Sequence, residues 1–273
     1  MKLQTSINSE VKSDFDDINK RISTKTGFAA VIENTLRKFG NFAFSLLMIP
    51  IISVCTLCIA IALTPGVLIF QWMQPLVVNY PMLLKSFCYS LSISSGFIAF
   101  IIALLFVVPI FNFPVIPFVK PNRGGWFSIE SIPWYYHNAL TYLVRYTVLD
   151  LITPSPLNVL YFKMMGMKVG KGVLLNTSNI SDPCLITIDD YVTIGGSAYL
   201  MAHYGMKGFL IIDKLHIKTG AMVGLAAKIL GGVTIGERAV IAPNVVVLPK
   251  SNIKAGEKFG YSITPPAATT AEK

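Results

Sequence analysis

The chain has 273 residues, of which 53 % are hydrophobic and only 14 % charged, with a formal net charge of +9. That is too apolar for an ordinary soluble protein and points to membrane attachment. The positive charge fits contact with anionic lipid better than nucleic acid, because no stripe of interleaved basic and aromatic residues offers base stacking.

Residues 1–42 read as a charged N-terminal arm, helical over residues 29–39, that carries Lys2, Lys12, Lys20, Arg21, Lys25, Arg37 and Lys38. A stretch so long and polar is not a signal peptide. Residues 43–119 read as a transmembrane hairpin, since Lys85 is the only charged side chain between Lys38 and Lys120. Two spans fit there, at roughly 44–70 and 87–111, each longer than the ~20 apolar residues that cross a bilayer. Pro50, Pro65, Gly66, Gly96 and Pro109 interrupt them, which membrane helices tolerate. Trp72 and Tyr80 suit the interface between the spans. The bias of Lys and Arg toward the two flanks predicts both ends in the cytoplasm and a multi-pass protein of the inner membrane.

Residues 120–167 form a juxtamembrane linker rich in aromatic side chains: Trp126, Phe127, Trp134, Tyr135, Tyr136, Tyr142 and Tyr146. These, with His137 among them, are expected at the membrane–water boundary. Ser155-Pro156 predicts an N-cap with proline in the first turn of a short helix running through Met165 and ended by Gly166. Placed there, the helix would cover the open end of the domain that follows. Cys55, Cys58 and Cys88 lie in the spans and Cys184 stands alone, so no disulfide framework is expected, and the Cys55/Cys58 pair reads as packing.

Residues 168–263 carry a period of six. Ile217, Val223, Ile229, Ile235, Ile241, Val247 and Ile253 form an unbroken series, preceded by Ile188, Ile194 and Leu200. No α-helix or strand alternation has that period, whereas a parallel β-helix does. Each hexad makes a short strand and a turn, and three hexads close one triangular coil. Ala221, Ala227, Val233, Ala239 and Val245 follow four residues after their anchors and are small or β-branched, while Ser251 and Glu257 are polar, so the coil is expected to fray near Ser251. Gly170, Gly195, Gly220, Gly224 and Gly236 fall at turns that need positive φ or close backbone approach. A prism so thin needs partners against its faces. Residues 264–273 are a polar tail.

The series skips between Leu200 and Ile217, so the chain loops out there, and the loop contains His203. His216, just before an anchor, is expected to point away from the core. His203 and His216 are too few and too widely spaced for a three-histidine metal site, and no other cluster has ligand spacing, so no metal is expected. There is no phosphate-binding loop and no dinucleotide fingerprint.

The stretches Val169-Gly-Lys-Gly-Val, Ile194-Gly-Gly-Ser-Ala and Ile235-Gly-Glu-Arg-Ala, with the loop opened by Leu200-Met-Ala-His203, resemble the hexapeptide repeats of left-handed β-helix acyltransferases. More narrowly, Pro156-Leu-Asn, Gly166-Met-Lys-Val-Gly, Asp182, Ile188-Asp-Asp and Ala202-His203 resemble the membrane-bound acyltransferase-like C-terminal regions of poly-lysine-synthetase-type, nonribosomal-peptide-synthetase-like proteins. The resemblance runs from Ser155 to Ala267. It implies a left-handed β-helix after a two-helix transmembrane hairpin, assembled as a homotrimer, that transfers an acyl group, acetyl above all, from coenzyme A to a hydroxyl or amine. A membrane-associated acceptor such as a lipid-linked sugar fits the spans. In this resemblance His203 is the general base. Asp182 or Asp213 orients its ring, and spacing does not choose between them; Asp182 also suits a capping turn before Pro183. A backbone N–H near Gly224 would stabilise the oxyanion. Gly224, Ala242, Lys250 and Lys254 would line the coenzyme groove between prisms, although both lysines also suit a solvated face. Two other readings are a transferase that forms peptide bonds from aminoacyl thioesters on a carrier protein, and a non-catalytic β-helix scaffold.

Overall fold

The computed structural model describes residues 26–126 and 128–261. Lys2, Lys12, Lys20, Arg21, Lys25, Phe127 and the 264–273 tail lie outside the described residues. Helix α1 spans Gly27–Phe39, and two much longer helices follow, α2 at Asn41–Leu76 and α3 at Met82–Asn112. Both are long and apolar enough to cross a membrane. Pro50, Pro65 and Pro109 sit inside continuous helix rather than breaking it. The two helices cross at glycine: a Cβ added to Gly66 would lie 3.1 Å from the Gly96 Cα. Residues without a side chain let the two helix backbones approach this closely. In the turn between α2 and α3, the Lys85 ammonium donates to the Val78 carbonyl at 2.7 Å.

After α3 the chain makes a short strand, Asn122–Gly125, and helix α4, Ile132–Thr147. Helix α5, Pro156–Met164, then opens as its sequence predicts, with the Leu157 N–H donating to Ser155 Oγ at 3.1 Å and Gly166 closing it at φ +97°. Its buried face, Asn158, Tyr161 and Phe162, covers the first coil of the β-helix, and the Asn158 amide caps the Leu175 carbonyl at 2.9 Å.

The coil runs from Lys168 to Phe259 as three parallel sheets of five, five and four strands. Face 1 stacks Val169, Ile188, Ile217, Ile235 and Ile253 in register. Face 2 stacks Leu175, Ile194, Val223, Ile241 and Phe259, and face 3 stacks Ile180, Leu200, Ile229 and Val247. From Ile180 to Val247 these anchors are 1 % exposed or less, and each contributes about 1.5–3 kcal/mol by burial. The period of six is therefore the period of the faces.

The two alternatives that the sequence offered for its glycines fall at two distinct corner positions. Three positions after the anchor the backbone is left-handed, at Gly172, Tyr191, Ser197, Gly220, Ala226, Gly232, Arg238, Asn244, Lys250 and Gly256. Of the five glycines singled out, only Gly220 uses that freedom. Gly170, Gly195, Gly224 and Gly236 instead follow their anchors directly, and a Cβ on Gly236 would lie 2.5 Å from the Ala255 nitrogen of the next coil. The coil does not fray at Ser251: strands Asn252–Ile253 and Lys258–Phe259 continue it, because the turn after the anchor is a backbone device that accepts a polar fourth residue.

Candidate active site

Both insertions in the coil fall on the corner between faces 3 and 1, while the first coil is one residue short between faces 2 and 3, where Leu175 to Ile180 is five residues. In the first coil Ile180 to Ile188 is eight residues rather than six, and the surplus holds Asp182. Asp182 takes the left-handed conformation, φ 60°, and starts the turn Pro183–Leu185. In the second coil the excursion between Leu200 and Ile217 is a β-hairpin, His203–Met206 against Phe209–Ile212, reversed at Lys207 and Gly208. Its neck is closed by the Asp213 N–H donating to the Ala202 carbonyl at 2.8 Å. Asn122–Gly125 pairs with the outer edge of the hairpin to make a three-stranded antiparallel sheet. In the third coil this corner is Gly231-Gly232, and a Cβ on Gly231 would lie 3.2 Å from the His203 nitrogen.

This stacking joins His203 to Asp182, Nδ1 to Oδ2, at 2.6 Å. The carboxylate is wholly buried, while the imidazole keeps 17 % of its side chain exposed. The other oxygen, Oδ1, accepts from the Trp134 indole at 2.7 Å and the Asn138 amide at 2.6 Å. Both donors come from α4, whose stripe Trp134, Asn138, Tyr142 and Arg145 lies along residues 179–182 of the first coil. Tyr142 meets Ser181 at 3.0 Å and Arg145 donates to Asn179. The Trp134 ring also stands edge-on to His203, centroids 4.9 Å apart.

Burial opposes ionisation of Asp182, yet the hydrogen bond and charge of His203, then the Asn138 donor, outweigh it and hold the carboxyl below its usual range. Burial, with the Asp182 charge added, pushes the neighbouring Cys184 thiol up to about 12, so it is no nucleophile. An anionic carboxylate on Nδ1 fixes the ring so that Nδ1 donates and Nε2 is left as the basic, outward nitrogen.

Several expectations need correction. Trp134 and His137 are not interfacial: Trp134 is 7 % exposed and His137 is fully buried, its Nδ1 2.9 Å from Asn112 Oδ1 at the end of α3. Burial depresses the His137 pKa to about 4. His203 pairs with Asp182 and not with Asp213, whose Oδ1 accepts from the Lys214 N–H at 2.8 Å. Asp182 also starts the turn before Pro183, so its place in that turn and its bond to His203 coexist. The Gly224 N–H is committed to the Ile241 carbonyl at 2.9 Å and has no free N–H for an oxyanion. Gly224 and Ala242 stack on the corner between faces 2 and 3. Lys250 lies on the corner of His203, its Cγ 2.9 Å from a Cβ built on Gly232, and Lys254 lies on the remaining corner. His216 is a surface residue as expected, with Nε2 3.0 Å from Asp189 Oδ2. Among the described residues no cluster of three or more His, Cys, Asp and Glu side chains is placed to hold a metal. The sequence reading missed Trp134 and Asn138 as site residues; their spacing of four on one helix face was the available signal.

The three-faced coil with its six-residue period thus carries a histidine–carboxylate pair at the corner between faces 3 and 1. The chain is similar to hexapeptide-repeat acetyltransferases of known structure. One is a maltose O-acetyltransferase from Clostridium difficile, at 16 % identity over 50 % of this chain and 90 % of that one, with TM-score 0.36. Another is a serine acetyltransferase from Neisseria gonorrhoeae, at 16 % over 68 % and 84 %, TM-score 0.29. A third is a Vibrio cholerae hexapeptide-repeat acetyltransferase complexed with acetyl coenzyme A, at 18 % over 39 % and 75 %, TM-score 0.30. Among curated proteins the chain is 28 % identical over 116 residues to a Delta-poly-L-ornithine synthetase from Acinetobacter baumannii. That match takes in 42 % of this chain and spans 8 % of the length of the relative. No family profile matches the chain.

Proposed function

We propose that the protein is a membrane-anchored acyltransferase that moves an acyl group, acetyl in the first instance, from coenzyme A to a hydroxyl or amine of a membrane-associated acceptor such as a lipid-linked sugar. The observation that carries this reading is the pairing of His203 Nδ1 with the buried Asp182 carboxylate. In the proposed reaction Nε2 takes the acceptor proton as the acceptor oxygen or nitrogen attacks the thioester carbonyl. The tetrahedral intermediate collapses with cleavage of the C–S bond, and the imidazolium returns its proton to the departing thiolate. The carboxylate stabilises the imidazolium between those events.

In this reading the coil is left-handed, the protein is a homotrimer, both ends face the cytoplasm, and coenzyme A lies in a groove between copies. Lys250 flanks the corner of His203, so a groove there would take its other wall, Gly224 and Ala242 or Lys254, from a neighbouring copy. The two apolar helices support the membrane location. The test is release of coenzyme A thiol by purified full-length protein in lipid nanodiscs supplied with acetyl coenzyme A and membrane extract. Wild type is expected to turn over and His203→Ala to lose activity by about 10²–10⁴-fold; equal rates remove His203 from the mechanism.

The stretch shared with a poly-ornithine synthetase favours a second reading, in which the donor is an aminoacyl thioester on a carrier protein. Calorimetric titration with coenzyme A separates the two, because only the first reading requires saturable binding of the free coenzyme.

A further inference from the structure

We infer that Trp134 and Asn138 are positioning residues, setting the reactive histidine by clamping the far oxygen of its carboxylate partner. The inference rests on His203 being the base. Asp182 is 0 % exposed, and an unpaired buried carboxylate would protonate or turn away. Two donors from α4, the Trp134 indole and the Asn138 amide, hold its Oδ1, and His203 holds its Oδ2. The clamp is itself held: the Asn138 amide also donates to the Trp134 carbonyl at 3.2 Å, so one helical turn fixes both donors. The Trp134 ring bears on the imidazole directly, 72° from its plane. One helix thus touches both members of the pair.

The other side of α4 is fastened to the apolar helices. The Tyr136 hydroxyl donates to the Phe111 carbonyl at 3.0 Å, His137 bonds Asn112, and Tyr135 stacks edge-on against Phe44 at 4.8 Å. The anchor and the base therefore share one rigid element, and the anchor is a working part of the site rather than a tether.

The groups facing Asp182 are His203 from the hairpin, His137 and Tyr142 from α4, and Cys184 from the turn after it. Removing the two Oδ1 donors leaves the anion less stabilised, so the Asp182–His203 pair binds its proton more tightly.

The test uses full-length protein in detergent with Trp134→Phe, Asn138→Leu and the double variant. Near-UV circular dichroism monitors the fold, and Trp134→Phe keeps the ring where Asn138→Leu fails to assemble. The first readout needs no turnover: the pH dependence of His203 carbethoxylation by diethyl pyrocarbonate, located by mass spectrometry, with His216 as internal control. The His203 midpoint is expected to rise by about half a pH unit in the double variant while His216 stays put. The second readout is acyl transfer, where kcat should fall about tenfold with KM for acetyl coenzyme A unchanged. A His203 midpoint and kcat equal to wild type in a folded variant overturn the clamp. A shifted midpoint in a protein without acyl transfer overturns the proposed reaction and leaves the clamp standing.

Discussion

His203 and Asp182 are 21 residues apart in the chain and 2.6 Å apart in space, each the product of a separate break in the same corner of the coil. Eight residues in one coil and a hairpin in the next displace two side chains from a pattern that otherwise points apolar anchors inward. The regular hexads supply the stiffness that keeps the two displaced groups in register.

If the pair works as one unit, its members fail together. Asp182→Asn should keep the fold but present an amide to Nδ1, disfavouring the tautomer that leaves Nε2 basic. Acyl transfer is expected to fall by about 10²–10⁴-fold in Asp182→Asn and in His203→Ala, with no further fall in the double variant. Additive losses in a steady-state assay would show independent roles.

Acid should destabilise the protein through His137. Its pKa is lowered to about 4 in the fold, so between the unfolded value of about 6.5 and that point the unfolded chain holds more protons. Stability is therefore full above the unfolded value and falls as pH drops through this window, by on the order of 3 kcal/mol in total. Asp182, with its pKa depressed, adds stability that is present above the unfolded carboxyl value and is lost in stronger acid. Thermal unfolding of detergent-solubilised protein from pH 7 to 4 should show this slope, and His137→Gln should flatten it. Parallel slopes would mean that His137 is not kept neutral.

The glycine crossing of the long helices should not tolerate bulk. A Cβ on Gly66 already stands 3.1 Å from Gly96, so Gly66→Leu must part the helices or force strained rotamers, at about 1–3 kcal/mol. Disulfide trapping between cysteines placed at Leu63 and Phe100, in an otherwise cysteine-free background, reads the spacing. The variant should trap more slowly than the parent.

The two corner types give opposite expectations for glycine substitution. Gly256, φ +70° with nothing within 4 Å of an added Cβ, should accept asparagine at a cost of about 1 kcal/mol. Gly236→Ala meets the Ala255 nitrogen and should cost more than that and loosen the last coil. Comparing unfolding midpoints of the two variants decides it.

The coil was legible because its signal repeats: one inward anchor per hexad, ten times over, outweighs any single exception. The apolar helices and the Ser155 cap were legible for a similar reason, each being a local pattern with a local cause. The His203 loop showed as a break in the period. What stayed hidden was contact between elements. Trp134 and His137 look like interfacial side chains by type, and only the docking of α4 buries them. The choice of Asp182 over Asp213 depended on which coil lies above which, a fact of stacking with no mark in spacing. The Gly224 N–H failed as an oxyanion donor because the ladder to Ile241 claims it.

The strand Asn122–Gly125 has a consequence in time. Its partner, Phe209–Ile212, lies roughly 90 residues further on, whereas neighbouring coils join segments a few tens of residues apart or less. During synthesis the early strand must wait, unpaired, while the first coils wind from the ribosome, and the His203–Asp182 corner closes only when the hairpin arrives to take it. Nascent chains arrested before Phe209 should therefore resist protease over the first coil while remaining cleavable at Arg123.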